Sequence, residues 1–492
     1  MARGVAASRD DDTSAGHRSE VDAEVRGLFG RDSLFTLLWA LQLVLAAGLT
    51  PLNTRVLGPN EYGRVTAAIA VMQVLMIAAG LGMQAAAQRQ YAKEGRAGAQ
   101  RLLMFSLVAS AVVTGLADLT GPLWSSALGF DGYHGAVRLA VVWAGLAAVT
   151  SAALGLLRSE DRLVAFLVVS LLQSVVAEAL AVGLALTVSP RAAIFVSGQV
   201  LGQVLAAGIG LLLIPPLWFG PRHRVMLGGA LAFGLPLVPA ALSQFVLGAS
   251  DRFLIQHHLG PAAVARYGVA YNLGSMPMIL LDVLDNIWLP RIFGLTDGRV
   301  RASVVAASRD ALYRLLAPMM LGLALGLPIV LLVWAPSSFR PQELALLGCV
   351  VVVSAVPYAA GLSLTRSLLA QGRSRMVAAA ALLAALANVG LNLLLIPLLD
   401  LLGAAVATFL AFGLMQVVLL LESPGSAAVP RPPVRVATLV VASSVLVLLV
   451  GLLPSTLPFL LARGIAVLAC LVWFGLVGAG LAGRRGVRAS RR

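Results

Sequence analysis

The sequence predicts an all-α membrane protein with fourteen transmembrane helices, arranged as two parallel-repeat six-helix lobes and two C-terminal helices. Three observations predict this fold: the chain is strongly apolar, its apolar runs are long enough to cross a bilayer, and two short motifs recur about 200 residues apart. Of its 492 residues, 59% are hydrophobic and 12% are charged, about half the charged fraction of a soluble domain. Such runs cross a membrane as helices, because each span must satisfy its own backbone hydrogen bonds.

Each predicted helix is one apolar run between islands of charge. Several runs contain glycine or proline, which membrane helices tolerate because neighbouring helices satisfy the freed backbone groups. The clearest kink is predicted in the stretch FGLPLVPAAL, Phe233–Leu242. The predicted spans are 33–56, 62–86, 100–120, 136–157, 163–188, 191–217, 229–256, 263–290, 311–334, 343–368, 376–397, 402–421, 435–453 and 457–481.

The distribution of cations predicts how these spans are oriented. With the N-terminus in the cytoplasm, 28 of the 36 Lys and Arg residues fall on the cytoplasmic side and 8 on the outer side. This ratio agrees with the positive-inside rule and places both termini in the cytoplasm, which requires an even number of spans. The predicted location is therefore the cytoplasmic (plasma) membrane. The net charge of +14 is explained by topology and attraction to anionic lipid, and we expect no nucleic-acid partner.

Two recurring motifs predict the domain organisation. Leu57-Gly58-Pro59 returns as Leu259-Gly260-Pro261, and the stretch LLRSEDRLVAF from Leu156 returns in weaker form as LLAQGRSRMVA from Leu368. Both recurrences skip six predicted helices, so the two repeats have the same direction, as in transporters that rock around a central cleft. The Leu-Gly-Pro motif itself is predicted to be a tight turn without a ligand.

The repeats define the predicted domain boundaries. We expect an N-lobe at 31–220, a C-lobe at 221–422 and a pair of further helices within 423–483. A disordered cytoplasmic tail at 1–30 is expected to precede them, because that segment is polar and mixed in charge, and a basic cytoplasmic tail at 484–492 is expected to follow.

Few residues are suited to covalent or metal chemistry. The two cysteines, Cys349 and Cys470, lie inside apolar runs, and the adjacent His257 and His258 point to different faces of a helix. We therefore expect no metal site and no cofactor, although coupling to H⁺ or Na⁺ is compatible with the sequence. An enzyme is not expected, because there is no Gly-x-Ser-x-Gly motif, no phosphate loop and no outer loop long enough to form a domain.

Three stretches resemble one family of membrane proteins. TRVLGPNEYG from Thr54, SDRFLIQHHLGPAAVARYGVAYNL from Ser250 and ANVGLNLLLIPLLDLLGAAVAT from Ala387 are similar to signatures of the polysaccharide-repeat flippases. These are the Wzx-type branch of the multidrug/oligosaccharidyl-lipid/polysaccharide exporter superfamily. The resemblance covers about residues 30 to 480, and polar residues are sparse in the first lobe's helices.

The resemblance implies a flippase that moves undecaprenyl-diphosphate-linked oligosaccharide repeat units across the membrane by alternating access, for surface polysaccharide biosynthesis. The partners that the resemblance implies are the lipid-linked glycan and membrane lipid, together with two kinds of enzyme that assemble the polysaccharide, a polymerase and glycosyltransferases. A drug or metabolite antiporter and a lipid II flippase of the same superfamily remain alternatives. A membrane scaffold without transport activity is a further alternative from a different class.

Ionisable residues inside predicted spans are costly, so they are candidate functional residues. Glu178 lies well inside the fifth span and is a candidate for ion coupling, or alternatively for structural hydrogen bonding to a neighbouring helix. Arg252 lies in the seventh span and is a candidate to hold a phosphate, because its planar guanidinium matches phosphate oxygens. The alternative is that Arg252 extends to the membrane interface.

Further polar residues occur in groups at helical spacing. Asp282 and Asp285 share a face of the eighth span and are predicted to form an inner gate by pairing with Arg314 or Arg366, although simple interfacial charge is the alternative. Two amide pairs at i, i+4 are candidates to bind sugar hydroxyls, with hydrogen bonding between helices as the default interpretation. These pairs are Gln199 with Gln203 and Asn388 with Asn392.

Overall fold

The computed structural model describes residues 48–295, 297–422 and 429–483. Every regular element in these ranges is helical, which confirms the predicted fold class. We number the α-helices in chain order: α1 Thr50–Gly80, α2 Met83–Leu119, α3 Gly121–Ala127, α4 Ala136–Ser159, α5 Leu163–Leu171, α6 Ala177–Thr187, α7 Ala192–Leu213, α8 Arg224–Gly234, α9 Leu237–Ala249, α10 Asp251–Leu259, α11 Pro261–Gly274, α12 Met276–Gly294, α13 Gly298–Trp334, α14 Ala345–Ala370, α15 Ser374–Leu421, α16 Val434–Leu452 and α17 Leu457–Gly483.

Ten helical segments of the described chain are long and apolar enough to cross a membrane. Some of them contain two of the predicted spans: Thr50–Leu119 covers the second and third, and Ser374–Leu421 covers the eleventh and twelfth. These elements nevertheless contain non-helical breaks at Gly58, Gly95 and Asp400, each of which lies in a gap between predicted spans. The count of fourteen therefore stays a prediction. Both tails and most of the first predicted span lie outside the described residues.

The predicted kink near Phe233 is present as a break between two helices. Helix α8 ends at Gly234 and α9 begins at Leu237, so the proline at position 236 lies at the start of a helix, where its missing N–H costs nothing. The eighth predicted span is also divided, because α11 ends at Gly274 and α12 begins at Met276.

The two copies of the Leu-Gly-Pro motif adopt the same backbone conformation. Gly58 has φ 67° and ψ 174°, and Gly260 has φ 80° and ψ 178°. Only glycine adopts this conformation readily, and the proline that follows each glycine is suited to the first turn of the next helix. The two glycines lie at one end of the molecule, which we call the Gly-Pro end.

The second recurring motif is also repeated in structure. Arg162 Nη1 donates to the carbonyl of Leu213 at 3.0 Å, and Arg373 Nη1 donates to the carbonyl of Glu422 at 2.6 Å. Each arginine thus binds the C-terminal carbonyls of a later helix, where the helix dipole favours a cation. These arginines mark the opposite end of the molecule, which we call the basic end. The shared contacts show that the same local structure is repeated in the two halves of the chain. We call residues 48–220 the first half and residues 221–422 the second half.

At the Gly-Pro end the two halves are in close contact. A Cβ atom added to Gly63 in α1 would lie 1.8 Å from the carbonyl oxygen of Pro261 in α11, and one on Gly129 would lie 2.7 Å from the Cα atom of His257. Thr54 Oγ1 also donates to the carbonyl of Trp334 at 2.6 Å. Glycine is required at these positions because the backbones leave no room for a side chain.

We expect Gly63→Ala to separate the two halves at the Gly-Pro end, because the new methyl group would overlap the Pro261 carbonyl. The distance between spin labels at Asp131 and Glu343, one in each half, should increase. Gly80→Ala is the matched control, since it lies in the same helix and an added Cβ would meet nothing within 4 Å. Equal label distances in the two variants would contradict this closure.

The last two helices pack on one side of the second half. Helices α16 and α17 both lie against α13, and a Cβ added to Gly322 of α13 would lie 3.2 Å from the Cβ of Cys470. Most of the large side chains of α17 are exposed, for example Ile465 and Leu476. An apolar helix with such a surface is suited to contact with lipid.

Candidate functional site

A polar layer crosses the bundle below the Gly-Pro end, where α1 meets the second half. Arg252 lies eight residues before Gly260, about 12 Å along a helix. Tyr62 is within electrostatic range of both Glu178 and Arg252, so the layer is shared between the two halves. Its members are Asn53, Tyr62, Glu178 and Gln199 of the first half and Asp251, Arg252, Tyr267 and Tyr271 of the second.

In the first half, the layer is centred on the carboxylate of Glu178. Asn53 Nδ2 of α1 and Gln199 Nε2 of α7 each donate a hydrogen bond to one of its oxygens. The chain immediately before Glu178, Leu172–Val176, is a π-helical turn, a feature that often occurs at functional sites. The carboxylate therefore links three helices, as the structural alternative predicted, and it also faces the junction of the two halves.

In the second half, the layer contains adjacent residues with opposite charge. The buried Asp251 accepts hydrogen bonds from the hydroxyl of Tyr267 and, at 2.8 Å, from the backbone N–H of Arg252. The half-buried guanidinium of Arg252 lies 5.4 Å from the ring centroid of Tyr271 and forms no salt bridge with any described residue. Arg252 therefore presents a guanidinium whose hydrogen-bonding capacity is available for an anion.

The remaining amide candidates are held by neighbouring helices. Gln203 Nε2 donates to Thr150 Oγ1 of α4 at 2.7 Å, and both side chains are buried. Asn388 Oδ1 accepts from Asn392 Nδ2 at 3.1 Å and from Ser250 Oγ at 3.4 Å. Two amide atoms of this pair, Asn388 Nδ2 and Asn392 Oδ1, are buried without a hydrogen-bond partner. The asparagine pair thus keeps unused hydrogen-bonding capacity beside the polar layer.

The carboxylates of α12 contact α14 of the same half. Asp285 forms a salt bridge with Arg366, and Asp282 accepts a hydrogen bond from the hydroxyl of Tyr358. Arg366 is 1% exposed and lies 5.3 Å from the ring centroid of Trp288. Arg314 forms no salt bridge within the described ranges. In this conformation, the acidic pair joins two helices of the second half and does not bridge the two halves.

The space between the halves is small in this conformation. A cavity of about 180 Å³ lies between α1 and α4 on one side and α9 on the other, and its lining includes Gln84, Ser151 and Val238. Pockets that bind ligands of drug size are typically about 300 to 1,000 Å³. This cavity is therefore smaller than that range. Within the described residues, no group of three or more His, Cys, Asp or Glu side chains is arranged to hold a metal ion.

A family model described as "Polysaccharide biosynthesis protein" matches residues 52–340, more than half of the 492-residue chain. The chain belongs to this polysaccharide biosynthesis protein family. The match includes the first Leu-Gly-Pro motif, the polar layer as far as Tyr271, and the acidic residues of α12. It confirms the relationship that the three quoted stretches predicted.

Solved structures of other membrane proteins share the fold of this chain. The inward closed conformation of the lipid II flippase MurJ has a TM-score of 0.68 and 14% sequence identity, covering 90% of this chain and 99% of that chain. The inward-facing conformation of a multidrug resistance MATE family transporter of the MOP superfamily has a TM-score of 0.59 and 16% identity, covering 85% and 98%. No curated protein sequence matches the chain significantly.

Several residues of the site were not identified as candidates from the sequence. Asn53 is a single asparagine near the end of an apolar run, and the hydroxyl groups of Tyr267 and Tyr358 find their carboxylate partners only through tertiary packing. The two tyrosines could have been found from the rule that a buried tyrosine hydroxyl needs a hydrogen-bond partner.

Proposed function

We propose that this protein is a flippase that translocates undecaprenyl-diphosphate-linked oligosaccharide repeat units across the cytoplasmic membrane by alternating access. Membership of the polysaccharide biosynthesis family and the shared fold with flippases and transporters support the proposal. In it, the Gly-Pro end faces outward and the basic end faces the cytoplasm, because cations concentrate at the latter. The head group crosses through the cleft while the lipid tail stays in the bilayer.

Arg252 is the observation that carries this proposal. Its guanidinium is half-buried between the halves, stacks on Tyr271, and makes no salt bridge with a described residue. An arginine in a membrane span whose guanidinium forms no salt bridge with a described residue is suited to bind a diphosphate, with which it forms paired, charge-assisted hydrogen bonds. The sugar hydroxyls would be bound by amides near the layer, for which the unpaired Asn388 and Asn392 atoms are better placed than the engaged Gln203.

Alternating access in this proposal is a rocking of the two halves about the polar layer. The contacts of Gly63 with Pro261 and of Gly129 with His257 close the outer side. Opening the outer side would also separate buried side chains of the two halves that pack around these contacts, such as Val65 and Val264. The pair of Asp285 and Arg366 moves as one unit in this scheme, since it lies within the second half.

Glu178 is the proposed coupling residue. Its two amide donors, Asn53 and Gln199, satisfy a carboxylate well and belong to the same half as Glu178. Arg252 of the other half lies within electrostatic range of Tyr62, as Glu178 does, so binding of H⁺ or Na⁺ to the carboxylate would change the charge at the junction of the halves. The coupling ion would thereby favour one conformation over the other.

A lipid II flippase is the second candidate. The observation that favours it is the TM-score of 0.68 with MurJ, which exceeds the 0.59 of the MATE transporter. The two candidates share the diphosphate and polyprenyl parts of the substrate and differ in the glycan. The chemistry of Arg252 serves both, so only a comparison of substrates separates them.

The test is translocation by the purified full chain in liposomes. We expect a fluorescent undecaprenyl-diphosphate-linked oligosaccharide in the inner leaflet to become accessible to an impermeant reductant, and lipid II to move more slowly. Glu178→Gln should lower the rate and reduce its dependence on an imposed H⁺ or Na⁺ gradient, because the amide does not bind a cation in the same way. Faster movement of lipid II would favour the second candidate, and movement of neither substrate would refute both.

A further inference from the structure

At the basic end, two cavities are separated by a contact between two glycines. The cavity of about 180 Å³ described above reaches down to Gly82, and a second cavity of about 490 Å³ begins at Phe233 and Ala86 on the other side. A Cβ added to Gly82 would lie 2.3 Å from the carbonyl oxygen of Gly234, and one added to Gly234 would lie 2.5 Å from that of Leu81. The two cavities are thus divided at a close backbone contact, beside which the buried side chain of Met83 also packs.

The chain at this contact is in an unfavourable conformation. Leu81 has φ 46° and the following Gly82 has φ 68°. A non-glycine residue in the left-handed region is strained and persists where the surroundings enforce it. The contact between Gly82 and Gly234 therefore closes the cleft over a small area, next to the strained backbone of Leu81. The contact between the halves at the Gly-Pro end is broader.

The second cavity, which we call the basic cavity, has the chemistry of an anion site. Arg89, Lys93 and Arg222 line it and form no salt bridge with a described residue, and the guanidinium of Arg89 lies 4.6 Å from the ring centroid of Phe233. Gln90 also belongs to the lining, and its Nε2 atom is buried near Gly98 without a hydrogen-bond partner. Three cations without a salt bridge to a described residue fit a phosphate or diphosphate group, with Glu94 as the single opposing charge among the lining residues.

The surroundings of the basic cavity indicate that the phosphate belongs to a lipid. Val225 lines it and is 89% exposed, and Trp218 nearby in sequence is 72% exposed and stacks on Phe219 at 5.7 Å. Exposed apolar and aromatic side chains next to cations are typical of the level of the lipid head groups. A soluble anion would have no use for this apolar surface.

We infer that the basic cavity is a loading site, which binds the diphosphate of the polyprenyl-linked substrate at the cytoplasmic face before the contact between Gly82 and Gly234 opens. This inference rests on the proposed function, in which Arg252 is the next phosphate ligand, beyond that contact. The strained glycine contact then separates a head group in the basic cavity from one in the cleft, so that loading and translocation are distinct steps.

The test measures binding to the full chain in phosphatidylcholine nanodiscs. The probes are undecaprenyl diphosphate, inorganic diphosphate and phosphatidylglycerol. We expect undecaprenyl diphosphate to bind most tightly and Arg89→Ala with Arg222→Ala to weaken its binding ~hundredfold, since each lost charge-assisted hydrogen bond is worth about tenfold in affinity. A double change to lysine should restore most of the loss. Arg375→Ala is the matched control, because Arg375 is another exposed arginine at the basic end.

The outcomes separate this inference from the proposed function. Unchanged affinity in the double alanine variant would overturn the loading site, even if Arg252→Ala abolished both binding and transport. Equal competition by phosphatidylglycerol would also overturn it, because the cavity would then hold ordinary membrane lipid. Inorganic diphosphate that bound as tightly as the lipid would likewise contradict a role for the apolar rim. Retained binding in Arg252→Ala together with lost transport would support two successive sites.

Discussion

Arg252→Ala is expected to reduce translocation of the diphosphate-linked glycan at least about thirtyfold, because removing one partner of a desolvated charge pair costs roughly 2 kcal/mol or more. The side chain lies between the halves, on the ring of Tyr271, with no salt bridge to a described residue. Its loss would leave the diphosphate without its main ligand in the cleft. The measurement is the initial rate in the liposome assay, together with surface polysaccharide in cells.

Two controls separate binding from folding. The amount of Arg252→Ala protein in the membrane should be close to that of the parent, because Asp251 keeps its hydrogen bonds from the Tyr267 hydroxyl and from the backbone N–H of position 252. Arg252→Lys should recover part of the rate, since lysine supplies the charge without the planar pair of donors. A normal rate in the alanine variant would remove Arg252 from the site and with it the main support for diphosphate transport.

Asp285→Ala is expected to destabilise the protein by about 3 kcal/mol, the cost of leaving one member of a buried ion pair without its partner. Arg366 is 1% exposed, and its Nη1 and Nη2 atoms already lack hydrogen-bond partners. Its Nε bond to Asp285 is therefore the contact that compensates the buried charge. The measurement is thermal unfolding of the detergent-purified full chain.

Combined substitutions test whether the pair or the single charge matters. Asp285→Ala with Arg366→Met should regain most of the stability, because the second change removes the uncompensated charge. The exchanged pair, Asp285→Arg with Arg366→Asp, should recover part of it. Arg314→Ala should change stability by no more than about 0.5 kcal/mol, since Arg314 forms no salt bridge in the described part of the chain. If the thermal unfolding midpoints of Asp285→Ala and Arg314→Ala were equal, the stabilising role of the ion pair between Asp285 and Arg366 would be refuted.

The fold class was predictable because it depends on local properties of the chain. An apolar run between charged islands must form a helix in a bilayer, wherever its neighbours lie. The motifs around Gly58 and Gly260 were recognisable as repeats, and their equal backbone angles confirm that they are the same turn. The break between the eleventh and twelfth predicted spans, 376–397 and 402–421, is present at Asp400, whose φ of 51° is not helical.

The candidate site was predictable only in part, since the type of a residue does not fix its partner. The sequence identified Glu178 and Arg252 from the cost of charge in a membrane, but not Asn53, which donates to Glu178 from 125 residues away. For Asp285 the sequence left Arg314 and Arg366 open, and the packing of α12 against α14 selected Arg366. The contribution of Asn388 and Asn392 to sugar binding stays a prediction.

The sequence by itself determined that this chain is a helical membrane protein with an internal repeat and a basic end. Those properties arise from hydrophobicity, from helical periodicity and from turns that glycine and proline specify locally. Only the tertiary structure decided which halves touch, which amides satisfy Glu178 and where the cleft closes. These features depend on close approach between segments about 150 to 200 residues apart in sequence, such as Gly82 with Gly234 and Gly63 with Pro261. A distance between backbones is set by how whole helices pack, and no local pattern encodes it.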